Sequence, residues 1–191
     1  MKAISLALPL ALALAACGND AEVDARNASV AEVAEQVADA GGTGQFVRPG
    51  KWQSRVQIEK FEIPGAPPEA ASAMRSMQQR AQVHESCLTP EEAKRPKEDF
   101  FAGAGKNCRY DRFTMGNGKI DAVMNCAGEG MAQTMAMQGT YGPDAYQMRM
   151  SMNARAGGAG GSGAEARPAS GMTMTMRVDA KRIGECDGTT A

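Results

Sequence analysis

Apolar and polar positions alternate most clearly in the second half of the chain. Met135, Met137, Gly139 and Tyr141 fall on odd positions with Ala136, Gln138 and Thr140 between them. Tyr146, Met148, Met150 and Met152 fall on even positions, separated by Gln147, Arg149 and Ser151. A period of two is that of a half-buried strand. With Gly142-Pro143-Asp144-Ala145 as the hairpin loop, Tyr141 pairs with Tyr146, Gly139 with Met148, Met137 with Met150 and Met135 with Met152. The alternate pairs, Gln138 with Arg149, Ala136 with Ser151 and Thr134 with Asn153, form a mostly polar second face. A third run, Met172-Thr173-Met174-Thr175-Met176-Arg177-Val178, repeats the alternation after a Gly-rich stretch over 155–170, which is read as a long mobile hairpin loop.

Earlier segments are less regular. Trp52, Val56 and Ile58 sit on even positions and Phe61 and Ile63 on odd ones, so a strand with a bulge near Glu59 or Lys60 is expected, closed by Pro64-Gly65. Pro67-Pro68 opens a helix whose stripe is Ala70, Met74, Met77 and Ala81, and this is expected to be the main helix of the domain. Thr89-Pro90-Glu91-Glu92 carries the capping-box pattern of a second, short helix. Residues 108–115 and 119–126 flank Gly116-Asn117-Gly118, a hairpin signal. A three-residue loop sets Met115 against Lys119 and Cys108 against Cys126. A two-residue Asn-Gly turn shifts the register by one and puts Cys108 opposite Ala127. The first register is preferred because it brings the two sulfurs together.

The N-terminus differs from all of this. Lys2, an apolar run from Ala3 to Leu14 and then Leu14-Ala15-Ala16-Cys17 read as an export signal over 1–16 ending in a lipobox, with an ordinary signal peptide as the alternative. The run is short of the ~20 residues needed to span a bilayer. Cleavage before Cys17 is expected to leave it as an acylated first residue of palmitate-type lipoproteins; Asp at the next position retains some such lipoproteins at the inner membrane, and with Gly18 there instead the outer membrane is expected. The protein is thus expected at the periplasmic face of that membrane, its membrane partner engaged through the lipid anchor. From 17 to 48 the chain is polar and Ala-rich. Val30, Val33 and Val37 have helical spacing, but Gly41, Gly42 and Gly44 follow, so a flexible tether is expected, with a single α+β domain over 49–188.

Charge excludes one function class. With 21 Lys plus Arg against 22 Asp plus Glu and no basic run, nothing resembles a phosphate-neutralising surface, so no nucleic-acid partner is expected. The single histidine, His84, stands near Cys87, yet no phosphate loop, nucleophile elbow or metal-ligand spacing appears. No cofactor and no enzymatic activity are expected. In an exported chain the four remaining cysteines argue for disulfides; the hairpin register selects Cys108–Cys126 and leaves Cys87–Cys186. A thiol redox pair or thiolate metal site is the alternative, but no C-x-x-C occurs.

Composition adds one unusual feature. Beyond the signal the chain has 13 methionines and a single leucine, Leu88. Methionine can fill an irregular core, form an adaptable apolar groove for a lipid-like ligand, bind Cu(I) through soft thioethers at Met148, Met150, Met152, Met172, Met174 and Met176, or act as an oxidant sink. The leading expectation is a binding or interaction module for an unknown protein or apolar ligand.

Gly50-Lys51-Trp52, Cys87-Leu88-Thr89-Pro90-Glu91, Cys108-Arg109-Tyr110, Gly116-Asn117-Gly118 ahead of Cys126, and Arg182-Ile183-Gly184-Glu185-Cys186 occur in that order. As a set they resemble the proteobacterial envelope proteins grouped as domain of unknown function 3617, over Gly50 to Cys186. That resemblance implies export and four paired cysteines, and brings no activity, substrate or catalytic residues with it. The expected fold is α+β: a curved antiparallel meander of hairpins on one main helix, stapled by disulfides.

Overall fold

A computed structural model describes residues 22–94, 107–128, 131–156 and 171–186. The signal segment, Cys17 and most of the expected 155–170 loop lie outside the described residues; Arg155 and Ala156 close a strand instead. In chain order the elements are β1 (Val23–Ser29), α1 (Val30–Asp39), a single 3-10 turn (Thr43–Gln45), β2 (Gly50–Glu62), α2 (Pro68–Gln78), β3 (Gln82–Leu88), α3 (Pro90–Lys94), β4 (Cys108–Gly116), β5 (Lys119–Gly128), β6 (Met131–Gly142), β7 (Ala145–Ala156) and β8 (Gly171–Gly184). The strands form one eight-stranded sheet in the order β1-β4-β5-β6-β7-β8-β2-β3, with every pair antiparallel. The fold is therefore sheet-dominated, with its few helices short.

Two expectations about the helices are overturned. The segment expected to be a tether builds β1 and α1, and its side chains supply half of the main core. Val33 and Val37 are fully inaccessible, and Val30, Val23, Ala25 and Phe46 are buried with Tyr110, Phe113, Met115, Ala122, Met124 and Met137. The physical reason lies in a local pattern. Ser29 caps α1, accepting from the Glu32 N–H at 3.2 Å, while the Glu32 carboxylate accepts from the Ser29 N–H at 2.6 Å, a closed capping box. The three glycines end the helix rather than prevent it: Gly41 and Gly42 take positive φ, and Thr43 Oγ1 donates to the Ala93 carbonyl at 3.1 Å. By contrast α2, expected to be the main helix, buries only Met74, and Met77 is 46% exposed. The helix packed in the core is α1.

The β4–β5 hairpin corrects a second point. Gly116 pairs with Lys119 across a two-residue turn in which Asn117 and Gly118 both have positive φ, and Met115 faces Ile120 rather than Lys119. Cys108 nevertheless faces Cys126, because the register shifts between Tyr110 and Arg112 and Asp111 is the extra residue of a bulge. The β6–β7 pairs are those the alternation gives, from Tyr141–Tyr146 to Thr134–Asn153. The β2 irregularity lies between Ile58 and Lys60, as expected. The α3 capping box is present, with Thr89 Oγ1 accepting from Glu92 N–H at 3.2 Å. Strand β3 is an element that no sequence pattern predicts.

Both disulfides form as the register selects, Cys108–Cys126 across a separation of 18 residues and Cys87–Cys186 across 99. Constraining the unfolded chain this way is worth about 3 and about 5 kcal/mol in the chain-entropy model.

Candidate functional site

Because side chains alternate on a strand, antiparallel pairing carries each methionine of one strand onto a methionine of the next. One row crosses the sheet as Met124, Met135, Met152, Met174 and Phe61, and the next as Ala122, Met137, Met150, Met176 and Ile58. Directly opposite residues have Cβ atoms only ~4.5–5.5 Å apart, so the methionine side chains of neighbouring strands rise side by side from the sheet. A third row runs Ile120, Gly139, Met148, Val178 and Val56. At Gly139 an added Cβ would lie 2.9 Å from Met148 Cγ and closer still to the Gln147 carbonyl oxygen, so the β7 backbone and Met148 together fill the space a side chain there would need.

Burial divides this face in two. On the β1–β4–β5–β6 side, the valines of α1 seal it. Toward β7, β8 and β2 the cover thins: Met124 and Met137 are buried, while Met135, Met148, Met150, Met152, Met172, Met174 and Met176 are only part-buried. No charged side chain stands in the three rows. One polar group reaches them, Gln133, whose amide donates to Met152 Sδ at 2.8 Å. A thioether sulfur is only a weak acceptor, so this contact leaves the rows apolar in character.

The aromatic end of the face is built from the turns. Tyr141 meets Phe46 edge-on with centroids 5.3 Å apart, and Trp52 leans on Tyr146 at 5.5 Å while its indole N–H donates to the Arg48 carbonyl at 3.1 Å. Arg48 pairs with Asp144, and Arg182 Nε donates to the Pro49 carbonyl at 2.8 Å. These contacts close the entry to β2 against the β6–β7 turn.

The opposite face is polar and self-neutralised. Arg112 Nε donates to Asp121 at 2.6 Å and Gln138 donates to the same carboxylate at 2.8 Å, holding it below the usual carboxylate range, chiefly through the arginine. Arg177 and Asp179 form a two-bond pair at 2.8 Å, which likewise lowers Asp179. Two shallow depressions of about 270 and 290 Å³ lie among these groups, lined by Glu59, Gln138, Arg149 and Arg177 and by Gln53, Arg55, Asp179 and Lys181. Glu59 answers Arg149 at 2.8 Å, so the first is not an open charge trap.

His84 is exposed on β3, with its ring 3.3 Å from the Gln82 amide oxygen, and the Cys87 sulfur is held in its disulfide. The arrangement brings together Met148, Met150, Met152, Met172, Met174 and Met176 on β7 and β8 and adds Met135 and Met137 from β6. It does not join His84 to a thiol. Among the described residues no group of three His, Cys, Asp or Glu could hold a metal, and no helix is long and apolar enough to cross a membrane.

Fold and face together define a disulfide-stapled antiparallel-sheet protein with one apolar, methionine-lined surface and one polar one. The chain belongs to the family described as protein of unknown function (DUF3617), whose model matches residues 47–186. No curated protein and no solved structure matches it. The β1–α1 cover, residues 22–46, precedes the matched region.

Proposed function

We propose that this protein is a non-enzymatic binding module of the bacterial envelope, exported by residues 1–16, acylated on Cys17 at the periplasmic face of the outer membrane, and holding an apolar chain on its methionine face. One observation carries the reading: seven methionines from β6, β7 and β8 stand part-buried in register, without a charged neighbour in their rows. Flexible thioether side chains re-pack around varied apolar shapes better than branched ones. An acyl-like chain is favoured over a charged ligand because the three methionine rows carry no charged side chain, while Arg112, Asp121, Arg149, Arg177 and Asp179 lie on the other face. Native mass spectrometry of the full chain purified from the envelope, then titrated with palmitate, tests it. An adduct is expected that Met152→Glu removes and Met77→Glu, at a 46% exposed position, retains. A chain that stays empty, or an adduct indifferent to Met152→Glu, contradicts it.

A second reading has its own observation. Met135, Met152 and Met174 present three soft sulfurs from adjacent strands in one row, a donor set suited to Cu(I). Met to Leu changes at 148, 150 and 152 keep the surface apolar while removing sulfur. Copper binding lost with palmitate binding kept would support the metal reading, and unchanged Cu(I) affinity would remove it.

A further inference from the structure

The position of β1 constrains more than the core. Val23, its first residue, pairs with Met115 beside the β4–β5 turn. Between Cys17 and Val23 the chain has only Gly18-Asn19-Asp20-Ala21-Glu22. Even a fully extended chain advances at most ~3.3–3.6 Å per residue, so these six steps reach about 20–22 Å.

Register fixes what lies at that end of the sheet. Beside Val23 and the Asn117-Gly118 turn are Lys119, the Pro143-Asp144 turn, the start of β2 at Gly50 and the end of β8 at Gly184. The Cys108–Cys126 bridge, Gly128 and Met131 lie at the other end. The near end carries charges of both signs, including the pairs Arg48–Asp144, Lys51–Glu85 at 3.2 Å and Arg182–Glu185. Charges of this kind are too costly to bury in the acyl interior, so contact at this end stops at the phospholipid headgroup layer.

We infer that the domain stands on the bilayer on its turn end, with the β4–β5 and β6–β7 turns at the headgroups and the strands rising away from them. The inference rests on the acylation of Cys17 proposed above. It replaces a long tether, which would let the domain roam, with a short one fixed to an edge strand. The methionine rows cross β6 at Gly139, Met137 and Met135, three, five and seven residues from Gly142, so they stand about 10, 17 and 24 Å above the turn and face the periplasmic space.

The test uses the full-length lipoprotein in phosphatidylethanolamine/phosphatidylglycerol vesicles containing a lipid with a nitroxide on its headgroup. A fluorophore is placed on Lys119→Cys or on Ala132→Cys, both exposed. Lys119 lies opposite Thr140, eight residues along β6 from Ala132, so the sites are about 26 Å apart and quenching at 119 should exceed that at 132. Inserting about 20 Gly/Ser residues between Ala21 and Glu22 should erase the difference. Equal or reversed quenching on protein whose N-terminal peptide carries the acyl mass overturns the orientation and leaves the anchor standing. Absence of that mass overturns both.

Discussion

Cys108 faces Cys126 only because Asp111 does not pair. The two-residue turn alone sets a register in which Cys108 meets Ala127, and one extra residue in β4 restores the pairing while keeping Tyr110 and Phe113 on the same buried face. Tyr110 and Phe113 are 1% and 0% exposed, with ring centroids 5.4 Å apart edge-on, and burying each ring is worth roughly 2–3 kcal/mol. The bulge therefore serves the core and the disulfide together.

This gives a matched pair of deletions. Removing Asp111 takes out the unpaired residue and leaves the cross-strand pairs in place, so the Cys108–Cys126 bridge is expected to form. Removing Arg109 shifts Cys108 to face Asn125 and is expected to leave two free thiols. Thiol titration of the unfolded proteins reads the difference.

The N-terminal segment is expected to behave as core. Val33→Ala and Val37→Ala should each cost about 1–3 kcal/mol in denaturant unfolding, since each leaves a cavity at a 0% exposed site. Met77→Ala, at a 46% exposed position in the longer helix α2, should cost under about 0.5 kcal/mol. A tether would leave both valine substitutions with almost no cost.

Gly50 has φ of 140°, and a Cβ there would come within 2.6 Å of the Gly184 carbonyl oxygen and closer still to the Arg182 guanidinium. Gly50→Ala should lower stability by more than about 2 kcal/mol. Gly184→Ala, where nothing lies within 4 Å of the new atom, is the control, measured by the same unfolding midpoint.

Burial pushes the Tyr110 hydroxyl up from 10.0 to about 12. A raised value means the stabilisation is whole below pH 10 and is lost as the pH rises from 10 toward 12, because only the unfolded chain ionises there. The loss should approach roughly 2–3 kcal/mol. Unfolding measured at pH 9 and pH 11 should show the drop in the wild type and a shallower one in Tyr110→Phe.

Much of this was legible where alternation is strict. The β6–β7 register, the bulge after Ile58, the α3 capping box and both disulfides follow from residue pattern and turn chemistry. The differences have separate physical causes. In the N-terminal segment the Ser29-x-x-Glu32 box and the Val30, Val33, Val37 stripe were present, but alanine and glycine content argued for a tether. In β4–β5 the Asn-Gly turn was present, and a bulge, which has no reliable sequence mark, hid its compatibility with the cysteine pairing. Strand β3 mixes Val83, Glu85 and Cys87 with Gln82, His84 and Ser86, and Val83 is 54% exposed, so no buried periodicity marks it. The part-burial of the methionine face could not be read from sequence at all, because it depends on how far α1 extends over the sheet.

The binding reading meets its most direct test in peroxide footprinting of the methionines with and without palmitate. Palmitate should protect Met148, Met150, Met152, Met174 and Met176 from sulfoxide formation, while Met77 and Met131, 46% and 52% exposed, are oxidised equally in both states. Unchanged oxidation across the five would contradict the account.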